Sequence, residues 1–368
     1  MSTSSAQTIV LVTPVFFAMI AVEAYVGWRR NRNTYRLPDA MASIGLGMLS
    51  QLTGLLTGVL GITLYMLVYD HLAPWHLNPR SPWVWIGALI AYDFFYYWLH
   101  RMGHEVAILW AAHVIHHQSE EYNLSTALRQ TSSGFLLGWA FYLPMALAGV
   151  PPLVFVVAGL IDLLYQYWVH TQQIGKLGWF DYWFCSPSNH RVHHAVNEVY
   201  LDKNYGGILI IFDRIFGTFQ EELDEEPCVY GTRDALLSFN PIVANWQVYG
   251  RLFRKTWRAR GLDRLRVWVK SAHWQPASWG ALPQAHYDPF AKKLYRPAVP
   301  AGRVKLAVAL FVLLLGATTW LLWNANVLSL WEQVAGLAVV AAGLSLVGWL
   351  CEAGSEKGEA TAPVVVGA

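Results

Sequence analysis

Cysteine is nearly absent from this sequence: three in 368 residues, Cys185, Cys228 and Cys351, far apart and without a C-x-x-C pair. Neither a disulfide framework nor a thiolate zinc site is therefore expected. Charge is also scarce. Only 14% of residues are Asp, Glu, Lys or Arg and the formal net charge is +2, too small an excess to argue for nucleic acid. The start, Met1 to Gln7, lacks the basic character of a secretory signal, and the apolar run from Thr8 to Trp28 has no small-residue cleavage site, so it reads as a retained span. Internal repeats and low-complexity tracts are missing too, apart from a small-residue tail after Glu352 that is expected to be disordered.

What is abundant is apolar side chain, 55% of the chain, the profile of a bilayer protein. Runs long enough to cross a membrane extend over Thr8 to Trp28, Met41 to Tyr69, Pro82 to Leu99, Val304 to Trp323 and Val327 to Leu350. A further block from Gly134 to Val169, broken at Gly149-Val150-Pro151-Pro152, reads as two shorter helices joined by a tight turn. The expected fold is an all-α integral membrane protein of about seven transmembrane or membrane-embedded helices. Arg29, Arg30, Arg32 and Arg36 follow the first span and should stay in the cytoplasm, which puts the N-terminus outside. Counting spans alternately from there brings a histidine-rich helical cap to the cytoplasmic face. The same count leaves Thr171 to Arg303 cytoplasmic, including the basic cluster from Arg251 to Arg266, where Trp257 and Trp268 interleave with arginines as in an interfacial helix on anionic lipid. The chain then divides into N-terminal spans (1–81), a histidine-rich region (82–240), an interfacial segment (241–303), a C-terminal hairpin (304–351) and a tail (352–368).

Of thirteen histidines, nine fall between His100 and His194. In His100-Arg-Met-Gly-His104 the imidazoles are one helical turn apart at the end of a span, so they can share a metal. His113-Val-Ile-His116-His117 repeats the spacing and adds a third nitrogen, and His190-Arg-Val-His193-His194 has the identical pattern. His170 ends the returning arm of the hairpin. A mononuclear site uses about three or four protein ligands, so His100, His104, His113, His116, His117, His170, His190, His193 and His194 imply two metals with room for an exogenous ligand. Imidazole suits iron, zinc, copper and nickel alike. The remaining histidines, His71, His76, His273 and His286, are expected to be ordinary interfacial or hydrogen-bonding residues. Asp93 precedes His100 by seven residues, and Asp162 and Gln166 precede His170 by eight and four. Polar groups are costly inside spans, so these are candidate acceptors for imidazole N–H groups, the alternative being a helix–helix hydrogen bond. Ligands strung across the membrane would suit metal transport, and haem would need facing pairs; collection at one face fits neither. A non-catalytic metal-stabilised scaffold remains compatible with the spacing.

These motifs, in this order between spans, resemble the fatty acid hydroxylase and sterol desaturase superfamily of membrane di-iron oxygenases. The stretches Asp93-Phe-Phe-Tyr-Tyr-Trp-Leu-His-Arg-Met-Gly-His104, Asn123-Leu-Ser-Thr-Ala-Leu-Arg-Gln130, Asn189-His-Arg-Val-His-His194, Asp202-Lys-Asn-Tyr-Gly-Gly207 and Phe212-Asp-Arg-Ile-Phe-Gly-Thr-Phe219 are similar to its ether-cleaving members. The resemblance implies two irons on the nine histidines and O2 as co-substrate, with electrons from tetrahydrobiopterin or another donor. Hydroxylation is implied at the carbon next to the ether oxygen of an alkylglycerol lipid taken from the bilayer. Sterol, fatty acid or carotenoid hydroxylases and desaturases of the same superfamily would use the same ligands. Asn123, Arg129 and Gln130 are placed to face the metal pocket, helix capping being the alternative. Two positions depart from the pattern: Gln172 stands where an acidic residue follows His-Thr, and Asn189, a further candidate beside the ligands, stands where relatives carry another histidine.

Overall fold

The computed structural model describes residues 5–280 and 287–352, and every regular element among them is helical. His286 and the tail after Glu352 lie outside the described residues. Four helices are long and apolar enough to cross a membrane: α1 (Ser5–Arg29), α2 (Leu37–Leu72), α13 (Ala301–Trp323) and α14 (Leu330–Glu352). Between them come α3 (Pro82–Glu105), α4 (Ala107–His117), α5 (Leu124–Ala127), α6 (Leu143–Leu147), α7 (Pro152–Trp168), α8 (Phe180–Trp183), α9 (Pro187–His194), α10 (Ile211–Phe216), α11 (Pro241–Arg258) and α12 (Asp263–Val269).

The longest element, α2, starts where Arg36 is extended and a proline occupies the first turn, a position that needs no N–H donor. Its 36 residues span about 54 Å, well beyond a hydrocarbon core of about 30 Å. The N-terminal half is sheathed by protein, with Met41, Leu46, Met48, Leu49 and Leu52 buried, whereas Val59, Leu60, Met66 and Leu67 farther along are exposed. That sheath is the α13–α14 hairpin: Leu314, Leu321 and Leu322 of α13 and Val340, Leu344 and Val347 of α14 share one apolar cluster with α2. Gly343 permits the approach, since a Cβ there would lie 2.6 Å from Leu314 Cδ2.

The apolar block from Gly134 does not form the two-helix hairpin the sequence suggests. Its second arm is α7, but the first is two 3-10 turns, Gly134–Leu136 and Gly138–Tyr142, followed by the five-residue α6. Two glycines and Pro144, which lacks an N–H, leave too little propensity for a continuous helix. The irregular stretch instead opens a wall of the cavity described below. Against it, α3 and α7 pack through Tyr92, whose ring stacks on Tyr142 at 4.5 Å.

On one side of this assembly sits a polar cap. Helices α11 and α12 cover α4, burying Ala244, Val248, Tyr249, Leu252 and Val267 against Trp110, Ala111, Val114 and Ile115. In the basic segment, Trp257 is 89% exposed, while Trp268 turns inward and donates its indole N–H to Thr256 Oγ1 at 2.8 Å. Lys255 is likewise engaged, donating to the Ala272 and Trp274 carbonyls. Trp257 thus faces outward together with the exposed Arg254, Arg258, Arg260, Arg264 and Arg266.

Candidate metal centre

Local sequence explains how four elements converge. Helix α3 carries His100 and His104 in its last turns and is stopped at Val106, which is extended (φ −115°, ψ 122°), so that α4 folds back beside it. The i, i+3, i+4 spacing then puts His113, His116 and His117 on the face of α4 turned to α3. His170 follows the end of α7. Helix α9 is set by Ser186, whose side chain accepts the Asn189 N–H, and by Pro187 in the first turn, and it delivers His190, His193 and His194.

All nine predicted imidazoles meet in two groups. One holds His100, His104, His113, His117 and His193, the other His116, His170, His190 and His194; within each, one nitrogen per ring lies within 4.8 Å of the others. His113 Nε2 is 3.0 Å from both His100 Nε2 and His117 Nε2. In the second group, His170 Nε2 is 3.1 Å from both His116 Nε2 and His190 Nε2, and His190 Nε2 is 3.2 Å from His194 Nε2.

These contacts are not a set of ordinary hydrogen bonds. His100, His116, His170 and His193 use Nδ1 towards main-chain carbonyls, those of Tyr205 (2.8 Å), Arg129 (3.1 Å), Gln166 (2.8 Å) and Lys203 (3.0 Å). A neutral imidazole donating through Nδ1 has only a lone pair at Nε2, so His170 Nε2 and His116 Nε2 face each other as two acceptors. A cation between them removes the conflict. With metal–nitrogen bonds of about 2.1 Å, neighbouring ligands at right angles would be about 3.0 Å apart, which is the spacing found. The buried Nε2 atoms of His104 and His193 have no partner among the described residues, as expected of metal-directed lone pairs. Burial pushes the six imidazoles of α4 and α9 below their ordinary value, His116 to about 4. They are therefore neutral and able to bind metal at physiological pH.

The polar residues singled out from sequence sit differently. Asp93 accepts the main-chain N–H groups of Ile208 and Leu209, each at 2.8 Å, and touches no imidazole. Asp162 accepts from Gln166 Nε2 at 2.6 Å. Gln166 orients His170 through its carbonyl rather than its side chain. Asn123 caps α5 and donates to the Thr34 carbonyl, and Asn189 donates to the carbonyls of Asp181 and Phe184. Arg129 is buried, with its carbonyl on His116 and its Nε on the Ile115 carbonyl, while Gln130 lines the cavity. Sequence reasoning missed Asp202, 3.6 Å from His104 Nδ1, and the carbonyls of Lys203 and Tyr205, although all three lie in the quoted Asp202–Gly207 stretch. It also missed His273, which lines a pocket of about 40 Å³ with His104, His117, His193, His194 and Arg233.

Asp213 holds that stretch in place, accepting the Tyr205 and Gly206 N–H groups at 2.8 Å each and the Thr218 hydroxyl at 2.7 Å. Asp213→Ala would leave two buried N–H groups without an acceptor, each worth roughly 1–3 kcal/mol. The expected result is an apparent melting temperature lower by several degrees together with weaker metal binding, read by thermal unfolding in detergent and by metal titration. A loss of stability with metal affinity untouched would argue against the link to His100.

Glu121, in the loop after α4, has Arg296 at 3.5 Å and Arg36 at 3.9 Å. Burial and the Asp39 carboxyl nevertheless outweigh the two guanidiniums and raise Glu121 to about 7. The folded protein thus holds its proton more tightly than the unfolded chain does. The resulting contribution to stability is full below the unfolded value of 4.5 and is lost as pH rises through about 7. Glu121→Gln should therefore be more stable than the parent at about pH 8, with the difference shrinking on acidification, measured as melting temperature against pH. A constant offset across that range would contradict the assignment.

On the opposite side from the small pocket, an apolar cavity of about 500 Å³ reaches His100, His113, His116 and His170. Its walls include Phe16 of α1, Met48 of α2, Leu99 of α3, Leu109 of α4, Gly138, Leu163 of α7 and Thr318 and Leu322 of α13. That volume lies within the ordinary range for sites that take a small lipid or drug-sized ligand.

A family model described as fatty acid hydroxylase matches residues 85–218, a stretch that carries all nine imidazoles. Alkylglycerol monooxygenase of Danio rerio is 35% identical over 351 residues, covering 94% of this chain and 78% of that protein. The Homo sapiens alkylglycerol monooxygenase is 41% identical over 266 residues, 72% of this chain but 59% of the human protein, so the chain spans less than two thirds of it. An ornithine lipid hydroxylase of Rhizobium tropici is 31% identical over 145 residues, 38% of this chain and 43% of that protein. No solved structure matches.

Proposed function

The chain belongs to the fatty acid hydroxylase family, and from that premise we propose that it is a membrane monooxygenase acting on alkylglycerol lipids. The observation that carries the reading is two adjacent imidazole groups at the inner end of an apolar cavity. A C–H bond on a lipid chain has no acidic proton, so side-chain acid–base chemistry alone cannot open it. The two imidazole groups would each hold an iron, which when bound would supply the redox chemistry that activates O2. Overall, R–H + O2 + 2 e⁻ + 2 H⁺ gives R–OH + H2O, the electrons coming from tetrahydrobiopterin or another reductant. At the carbon beside an ether oxygen the product is a hemiacetal, which falls apart to an aldehyde and a glycerol.

The protein's own part is orientation and enclosure. Main-chain carbonyls on Nδ1 aim the imidazoles, and the cavity wall holds the alkyl chain away from bulk water. Helices α1, α2 and α13 contribute to that wall, which suits entry of the chain from the bilayer, with its headgroup at the interface. The arginines that follow α1 support a cytoplasmic cap and a multi-pass topology, and the outward Trp257 supports α11 lying on the lipid surface.

Purified protein given an alkylglycerol, reductant and 18O2 should release aldehyde, with one labelled oxygen recovered in the hemiacetal-derived products, and His194→Ala should abolish it. Hydroxylation without ether cleavage would instead indicate a lipid such as a sterol or fatty acid. Protein that holds no iron and consumes no O2 with any lipid would refute the enzyme reading.

A further inference from the structure

Asp93 on α3 and Asp162 on α7 are 1% and 2% exposed, in a helix pair that faces the apolar cavity. Asp93 is held by the Ile208 and Leu209 N–H groups. Asp162 Oδ2 accepts from Gln166 Nε2, and Gln166 Oε1 accepts from the Tyr96 hydroxyl at 2.6 Å. Asp162 Oδ1, however, has no donor among the described residues. Its neighbour is the other carboxyl. A Cβ built on Gly207 would lie 2.8 Å from Asp162 Oδ1 and 2.8 Å from Asp93 Oδ1, so both carboxyl oxygens border the same point. Neither carboxyl forms an ion pair among the described residues.

Two ionised carboxylates are acceptors only, and like charges held together away from water repel. One proton between them removes both difficulties and gives Asp162 Oδ1 its partner. We propose that Asp93 and Asp162 share a single proton and act as a positioning pair that joins the two halves of the metal centre. From Asp93 the bonds run to Ile208 and Leu209, three and four residues after Tyr205, whose carbonyl accepts from His100 Nδ1. From Asp162 they run to Gln166, whose carbonyl accepts from His170 Nδ1. His100 belongs to the five-imidazole group and His170 to the four-imidazole group, so the pair sits where the supports of both groups meet. Without the proton, α3 and α7 would be forced apart at this point, and the two carbonyls with them. Gly207 has no side chain to wedge between the acids.

The coupling role rests on the metal reading above; the shared proton does not. The test compares full-length wild type with Asp162→Asn and Asp162→Ala, since an amide N–H can replace the shared proton and a methyl group cannot. Metal-free wild type at about pH 8, where Glu121 has lost its proton, should show the infrared carbonyl band of a protonated carboxylic acid, and Asp162→Asn should abolish it. With ferrous iron as the probe, Asp162→Asn should bind within about threefold of wild type, whereas Asp162→Ala should bind at least about tenfold more weakly. An acid band absent from wild type, or unchanged in Asp162→Asn, overturns the shared proton. Equal iron affinity of Asp162→Asn and Asp162→Ala overturns the positioning role. Failure of the metal reading itself looks different: wild type then binds no iron, while the band is present and still disappears in Asp162→Asn.

Discussion

Replacing His113 with alanine is expected to cut bound iron from about two per chain to about one and to lower turnover at least 100-fold, a larger loss than the 10–100-fold typical when a residue behind a ligand is removed. The size follows from its place. His113 Nε2 is 3.0 Å from both His100 Nε2 and His117 Nε2, so it sits at the middle of its group and its loss leaves those two nitrogens without the one that lies between them. The second group keeps all four nitrogens. Iron analysis and O2 consumption on the same preparation check the expectation, with thermal unfolding to establish that the variant is folded. Normal turnover with reduced iron would mean that the metal only braces the fold.

Narrowing the cavity should separate substrate binding from metal chemistry. Gly138 and Thr318 line the cavity from the irregular stretch before α6 and from α13. At Gly138 an added Cβ meets only Leu99 Cδ2, at 3.7 Å, so a larger side chain there extends into open space. Gly138→Trp and Thr318→Trp should each lower kcat/KM for a long-chain alkylglycerol by about 100-fold, the upper range for steric rejection in an apolar pocket, with iron content unchanged. Shorter chains should be spared. Variants that slow all chain lengths equally would indicate that the lipid enters elsewhere.

The two imidazole groups were legible in the sequence because helical spacing is short-range. His100 and His104, or His190 and His194, lie a turn apart on one helix face whatever surrounds them, and nine imidazoles gathered between His100 and His194 point to metal before any tertiary contact is known. Hydropathy found four of the five expected spans to within a few residues; the fifth, Pro82 to Leu99, lies in α3, which is not among the four helices long and apolar enough to cross a membrane. Orientation of the rings was not legible. It depends on carbonyls of Tyr205, Lys203, Arg129 and Gln166, and a carbonyl belongs to every residue type, so no side chain announces it. Asp93 was recognisable as a polar group too costly to be idle, yet its partner, the Ile208–Leu209 main chain, is set by tertiary packing across more than 100 residues of chain. The broken first arm of the hairpin was hidden for a related reason: an apolar run gives the same average whether it is helical or irregular, and here Gly134, Gly138 and Pro144 decide.

The carbonyl supports have a practical consequence for redesign. A side-chain support disappears when its residue is mutated, but a carbonyl survives any substitution that leaves the backbone in place. The carbonyls of Lys203, Tyr205 and Arg129 serve His193, His100 and His116 in this way; at Gln166 the side chain is also tied to Asp162 and Tyr96, so there only the carbonyl beneath His170 is independent of residue type. Side chains of the cavity wall that carry no such tie can therefore be varied widely while the supports of the imidazoles stay constant.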